Sequence, residues 1–268
     1  MNTRLKLSLS ILGTFLFSSG MSVIWLPYKL DDTSGLRLES PSWHHLLGTD
    51  KLGRDYFSRL IVGSRIVVIV GITTVIIGAL IGVSLGLLAG FARRTRDDTF
   101  SAFLDILIAF PTLLLAMLIV AARGASLTSA ILAISLGISA VLARLTRLLT
   151  KRVLGADYIL AARASGTSWF RIVIIHILPN IWTTLIVALS LQFGLAGLAE
   201  AGLSYLGLGA PPPNASWGSL LQEAQDTVYT APIAAIAPGL LLVILVVGVN
   251  LFADGLRERF DPTLGGNQ

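Results

Sequence analysis

"IVVIVGITTVIIGALIGVSLGLLAGF", Ile66 to Phe91, runs for 26 residues without a charged side chain. At about 1.5 Å of rise per residue, about 20 apolar residues cross a hydrocarbon layer of about 30 Å. The run is therefore long enough to be a membrane-spanning helix. It does not alternate apolar and polar residues as a barrel strand does. Gly71, Gly78, Gly82 and Gly86 recur at spacings of seven and four. Such a stripe lets two helix backbones approach closely where no hydrophobic effect drives them together.

Five further runs read the same way: Leu7–Leu26, Phe103–Ala122, Leu127–Leu149, Ile181–Leu203 and Ile233–Phe252. The chain of 268 residues is 54% hydrophobic and 13% charged, against about 25% charged in soluble domains. The fold class is all-α, a polytopic membrane protein with about six transmembrane helices. The opening "MNTRLKLSLSILGTFLFSSG" has the basic start and apolar middle of a signal peptide. It lacks an Ala-x-Ala cleavage site and its apolar stretch continues to Leu26, so it reads as an uncleaved first span. The chain contains no cysteine, which excludes disulfides and thiolate metal sites.

The net charge of +5 comes from basic residues beside the spans and implies membrane, not nucleic acid. Arg4, Lys6, Arg93, Arg94, Arg96, Arg147, Lys151, Arg152, Arg163, Arg171, Arg257 and Arg259 fall on one side, with Arg144 just inside the fourth span. Most basic residues of the other side sit with acids in one long loop. Short loops decide topology, and they predict both termini in the cytoplasm. The expected organisation is a first helix and outer loop over 1–65, a transmembrane domain over 66–255, and a cytoplasmic tail over 256–268.

Between the fourth and fifth spans stands "AARASGTSWFRIVIIHILP", Ala161 to Pro179. It reads as two short helices broken at Gly166, the second capped by Thr167 or Ser168. Phe170, Val173, Ile174 and Ile177 are expected on one face, and Pro179 suits the first turn of the next span. Ala161, Ala162 and Ala164 give the first helix a small, smooth face, with Arg163 free to meet an acid on a partner's rim. From the residues alone two readings stand: an amphipathic helix resting on the inner leaflet, or a docking element within a cytoplasmic loop of about 155–179.

Other residues invite chemistry. In "GTDKLGRD", Gly48, Thr49, Asp50, Gly53, Arg54 and Asp55 combine turn-forming glycines with charges that can fix the loop's shape. The last outer segment, "GAPPPNASWGSLLQEAQDTVYTAP", opens on a proline run that cannot be helical. Asp105 and Glu200 interrupt apolar runs, which makes them functional candidates, although two carboxylates toward opposite faces form no relay and suit structural anchoring. His44, His45 and His176 lack ligand spacing, so no metal site is expected. No Walker sequence and no nucleophile elbow occurs. The chain is expected to be no enzyme, with no catalytic or cofactor-binding residue.

"LAARASG…HILP" resembles the EAA loop of permease subunits in bacterial ABC importers, patterned Glu-Ala-Ala-x-x-x-Gly and then Ile-x-Leu-Pro. Ala161, Ala162, Gly166, Leu178 and Pro179 match; Leu160 stands in place of the glutamate and His176 in place of the isoleucine. The histidine is similar to the dipeptide, oligopeptide and nickel branch. "HLLGTDKLGRDYFSRLIVGSR", "DILIAFP", "ARLTR", "EAGLSYLGLG", "SWG" and "NLFADGLRERFDP" extend the resemblance along nearly the whole chain.

The resemblance implies a coupling loop in which Ala161, Ala162, Arg163 and Gly166 dock on an ATP-binding subunit. It implies a second homologous permease subunit, two ATP-binding subunits that use ATP and Mg, and an extracytoplasmic solute-binding protein, all at a bacterial inner membrane. The solute class would be a peptide, nickel or a metal chelate, with the missing glutamate and short amino terminus leaning toward the nickel type. It implies that the outer-loop motif lies near the partner permease or the docked binding protein. The rival readings are a secondary transporter, which needs mid-membrane ion sites and often paired broken helices, and a non-transporting scaffold.

Overall fold

The computed structural model describes residues 3–92 and 94–260, and of residues 94–96 the backbone alone. Arg93, the side chains of Arg94 and Arg96, and the tail beyond Phe260 lie outside the described residues. The helices are α1 (Thr3–Ile24), α2 (Tyr56–Gly90), α3 (Arg94–Ala109), α4 (Thr112–Arg123), α5 (Leu127–Leu154), α6 (Asp157–Ala164), α7 (Trp169–Ile172), α8 (Leu178–Tyr205), α9 (Trp217–Ala224) and α10 (Ile233–Phe260). Among the described residues there is no strand, only a single antiparallel bridge between Thr49 and Asp55.

The glycine stripe does what its spacing implies. A Cβ built on Gly82 would sit 2.5 Å from the Ser139 carbonyl oxygen, and one on Gly86 2.6 Å from that of Ala143. The backbones of α2 and α5 therefore touch along their length, forming the most extensive helix pair of the fold. Gly71 instead receives the Phe193 ring of α8. Around this pair, α1 packs on α2 and α10, while α8 closes against α2, α5 and α10.

Three helix limits differ from the runs read in the sequence. The run Phe103–Ala122 is not one helix: α3 and the apolar α4 meet at 85°. Pro111 has no N–H for the ladder and disfavours helical backbone at Phe110, which stops α3 there. Five helices are long and apolar enough to cross a membrane, and the bent pair makes a sixth if it counts as one span. Second, α2 begins at Tyr56, so the division at 65/66 falls inside a helix. Asp55 caps it by accepting the Ser58 N–H at 2.7 Å, and a capped helix tolerates the polar turns that precede the apolar run. Third, α10 continues to Phe260, so the division at 255/256 also falls within a helix.

Arg4 of α1 and Glu258 of α10 pair at 2.7 Å, which places the start of α1 and the finish of α10 at one end of the bundle. The Phe91–Trp169 ring contact of 5.2 Å brings the finish of α2 and the start of α7 together. At the opposite end, α9 packs on α8 and on the first turns of α2.

Candidate functional site

Two sites emerge, one at each end of the bundle. The first is the broken segment around Gly166. Helix α6 ends at Ala164 and α7 begins at Trp169, with Gly166 at φ +82 between them. Only glycine adopts that backbone without strain. Ser168 caps α7, accepting the Arg171 N–H. Ile159, Ile172 and Ile177 are fully buried and root the segment on Leu149, Val153 and Leu154 of α5.

After α7 the backbone widens into a π turn over Val173–Ile177, where the Leu178 N–H reaches back to the Val173 carbonyl. Pro179 is the cause: it cannot donate to the carbonyl four residues back, and its ring excludes that oxygen. The Asn180 side-chain amide donates to the His176 carbonyl at 2.6 Å. Helix α8 thus continues the broken segment, and the apolar stretch Trp169–Tyr205 runs on for 37 residues. The π turn also rotates the face predicted from helical spacing. Phe170 is 76% exposed and Ile174 is exposed, while Ile172 takes the buried place.

Ala161, Arg163, Ala164 and Gly166 are exposed, Ala162 is half-buried, and Leu160 is exposed beside them. The Arg163 side chain is engaged within the loop. It donates to the Thr167 carbonyl at 2.9 Å, and its guanidinium lies 4.1 Å from the Trp169 ring centroid. Trp169, which sequence reasoning did not single out, therefore adds a surface clasp between α6 and α7 to the buried isoleucines beneath them. Leu160, Arg163, Trp169, Phe170, Leu88 and Phe91 line a groove of about 780 Å³.

The second site is the loop before α2. Gly48 (φ +76) and Gly53 (φ +81) occupy backbone that only glycine adopts freely, and a Cβ on either would meet a carbonyl oxygen at 2.2 Å. Thr49 Oγ1 donates to the Leu36 carbonyl and accepts the Glu39 N–H. The carboxylate of Asp50 is filled on both oxygens. Oδ1 accepts the N–H groups of Leu52 (2.8 Å) and Arg54 (3.0 Å), and Oδ2 accepts Arg54 Nε and Arg59 Nη1, both at 2.7 Å. Asp55 accepts the Ser58 hydroxyl and, at 2.9 Å, His45 Nδ1–H, because an ionised carboxylate only accepts.

The loop is tied to α9 through residues that sequence reasoning missed. Arg59, 3% exposed, grips Glu223 with Nη1–Oε2 at 2.6 Å and Nη2–Oε1 at 2.7 Å. Lys51 pairs with Asp226 at 2.6 Å on the surface and holds that carboxyl below its usual range. Trp217 at the start of α9 is fully buried, donating its indole N–H to the Leu60 carbonyl at 3.0 Å. Gly218 lies so close to α8 that a Cβ would meet the Ala201 carbonyl oxygen at 2.0 Å.

The two acids of the apolar runs are not brought together. Glu200 is fully buried where α8 meets α9, accepting the Ser204 hydroxyl at 2.5 Å. Asp105 of α3 forms an ion pair with Arg144 of α5 at 3.0 Å, with both side chains more than half exposed. His45 and His176 lie in different sites.

Comparison with known proteins settles the class. The family model described as "Binding-protein-dependent transport system inner membrane component" matches residues 82–266. The chain is 40% identical over 226 residues to the glutathione transport system permease protein GsiD of Pectobacterium atrosepticum, covering 84% of this chain and 75% of that protein. It is also 40% identical over 233 residues to the di/tripeptide transport system permease protein DppC of Pseudomonas aeruginosa, covering 85% and 77%. Its fold is similar to a chain of the MetNI methionine ABC transporter, with TM-score 0.63, 20% identity, and coverage of 76% of this chain and 98% of that one.

These findings decide against a secondary carrier or a scaffold. The chain is not itself an enzyme; ATP hydrolysis and solute capture belong to partner subunits. The chain belongs to the binding-protein-dependent transport system inner membrane component family, as a multi-pass permease subunit of an ABC importer.

Proposed function

We propose that this permease carries peptides inward, forming one half of a pathway whose other half is a second, homologous permease subunit. Two ATP-binding subunits dock at the Gly166 end, and an extracytoplasmic solute-binding protein delivers its cargo at the α9 end. Both termini then lie in the cytoplasm, with the docking segment. ATP and Mg are used by the docked subunits; this chain holds no cofactor. Relatives named for glutathione and dipeptide transport favour peptides over nickel or a metal chelate.

The observation that carries this reading is mechanical. The exposed Ala161–Gly166 surface is joined through α7 and the π turn to α8, and α8 at its far end is locked to α9 through the Gly218–Ala201 contact. Closure of the ATP-binding subunits would drag the docking segment, tilt α8, and pull on α9 at the outer mouth. One rigid element thereby links nucleotide state to pathway access.

The test is reconstitution with and without the partner subunits. Uptake of a dipeptide should require the ATP-binding subunits, the binding protein and ATP, and an ion gradient alone should drive none. Cysteine placed by Ala161→Cys should cross-link to an ATP-binding subunit, with a yield that changes between nucleotide-free and ATP-bound states. A yield of zero in both states removes the docking assignment. Nickel uptake without dipeptide uptake removes the peptide assignment.

A further inference from the structure

Two ion-pair stations connect α3 to α5, and they differ in one respect. Asp97 is buried, its side chain 9% exposed, and takes Arg147 Nε at 2.6 Å together with Lys151. That station is a closed strut. Asp105 and Arg144 share one N···O contact of 3.0 Å, with 56% and 52% of their side chains open on the chain's surface. A pair so exposed contributes about 0–1 kcal/mol, so stability does not explain two charges at this depth.

The depth follows from helix geometry. Helix α5 has 28 residues and overhangs a hydrocarbon layer of about 30 Å, and Arg144 lies one turn, about 4.5 Å, inside Arg147, the last basic residue of that end. Charges inside the hydrocarbon edge are costly where they face lipid tails and are found facing bundle interiors, water-filled cavities or the interface. An independent feature sits on the same face. Thr112, at the break between α3 and α4, packs on Gly137 of α5, where a Cβ would meet Thr112 Cγ2 at 2.5 Å. Gly137 and Arg144 are seven residues apart, so they share a helix face. Phe110, Pro111 and Thr112 are all exposed there. Non-helical backbone at membrane depth is tolerated only against protein or beside water. Break and ion pair thus mark one face of α3–α5 that lipid cannot cover.

We propose that this face lines the solute pathway and that Asp105–Arg144 is a transit contact for a zwitterionic solute. The Asp105 carboxylate meets an ammonium group, and the Arg144 guanidinium meets a carboxylate with its planar fork. The pair holds itself neutral between passages, so an empty pathway carries no unpaired charge. This inference rests on the peptide-permease reading for the identity of the solute, but not for the position of the pair.

The experiment uses the transporter assembled with its partner subunits in proteoliposomes, the partners made cysteine-free. In this naturally cysteine-free chain, Asp105→Cys and Arg144→Cys should each react with a hydrophilic methanethiosulfonate. The reaction rates should change at least threefold between nucleotide-free and ATP-trapped transporter. Thiols that stay unreactive in both states overturn the proposal, since they place the pair against partner protein or lipid. In parallel, Asp105→Asn and Arg144→Gln should each lower dipeptide uptake at least tenfold at equal amounts of assembled transporter. The exchanged pair, Asp105→Arg with Arg144→Asp, should stay impaired; restoration of wild-type uptake would make the pair a second strut and overturn the proposal. Wild-type transporter that hydrolyses ATP yet imports no dipeptide would sink the solute reading instead. The thiol result would then still decide where the pair lies.

Discussion

The guanidinium of Arg59 holds the carboxylate of Glu223 through two parallel contacts, 2.6 and 2.7 Å, across 164 residues of sequence. One residue opens α2 and the other belongs to α9, so the pair ties the loop before α2 to α9 at one end of the bundle. Arg59 also donates to Asp50 at 2.7 Å, which brings the glycine-turned loop into the same network.

Arg59→Ala should be the most damaging substitution at this end. Removing one partner of a fully buried ion pair costs about 3–5 kcal/mol; Glu223 is 40% exposed, so on the order of 2 kcal/mol is expected here. Arg59→Lys keeps the charge and loses the fork, and should recover only part of that loss. Thermal inactivation of the detergent-solubilised protein measures both. Equal midpoints for wild type and Arg59→Ala would show that the network does not hold the mouth.

Arg54→Ala should be milder. Asp50 would keep two backbone N–H donors and Arg59, and Arg54 reaches Glu223 only at 3.5 Å. Asp50→Ala removes the acceptor that four donors share, leaving the half-buried Arg54 and buried Arg59 short of a partner. Uptake should therefore fall in the order Asp50→Ala below Arg54→Ala below wild type, with the ATP-binding subunits still bound. A deeper defect in Arg54→Ala than in Asp50→Ala would mean that Arg54 acts on an incoming partner and not within the loop.

What the sequence made readable follows from lipid. A span must be apolar over its length, so the spans stood out, and close helix contact needs small residues, so the glycines at 78, 82 and 86 marked the face of α2 that a neighbour touches, though not which neighbour. Readability failed where one residue changes the geometry of many. Pro111 bent the third span by 85°, although "AFP" in an apolar run was available as a warning. Pro179 widened a turn and exchanged Phe170 for Ile172 on the buried face. Asp55 started α2 before the apolar run begins. Arg59 and Glu223 were invisible for another reason: pairing between distant segments leaves no local pattern.

The topology can be read with single thiols, because the chain carries no cysteine. Ser216 before α9 is 1% exposed, and a cysteine there would report burial instead of sidedness. Tyr229 is 99% exposed beyond α9, and Phe170 is 76% exposed in α7. Tyr229→Cys should react with an impermeant thiol reagent only from outside, and Phe170→Cys only in inverted vesicles. Both reacting from one side would refute a bundle with these segments at opposite ends.

Gly166 allows backbone strain and docking to be separated. Its φ of +82 costs an ordinary L-residue about 1–2 kcal/mol, and a Cβ there meets nothing within 4 Å. Ala and Leu carry similar backbone strain, whereas Asn tolerates this conformation better. Gly166→Asn should therefore stay near wild type if strain dominates, and Gly166→Ala should fall modestly. The extra bulk of Gly166→Leu projects into the space that a docked subunit would fill. Uptake and solute-stimulated ATP hydrolysis should fall together in Gly166→Leu, at least threefold below Gly166→Ala, with normal amounts of permease in the membrane. Equal activity in the Ala and Leu variants would mean that nothing packs on Gly166, and that the docking surface lies elsewhere on the segment.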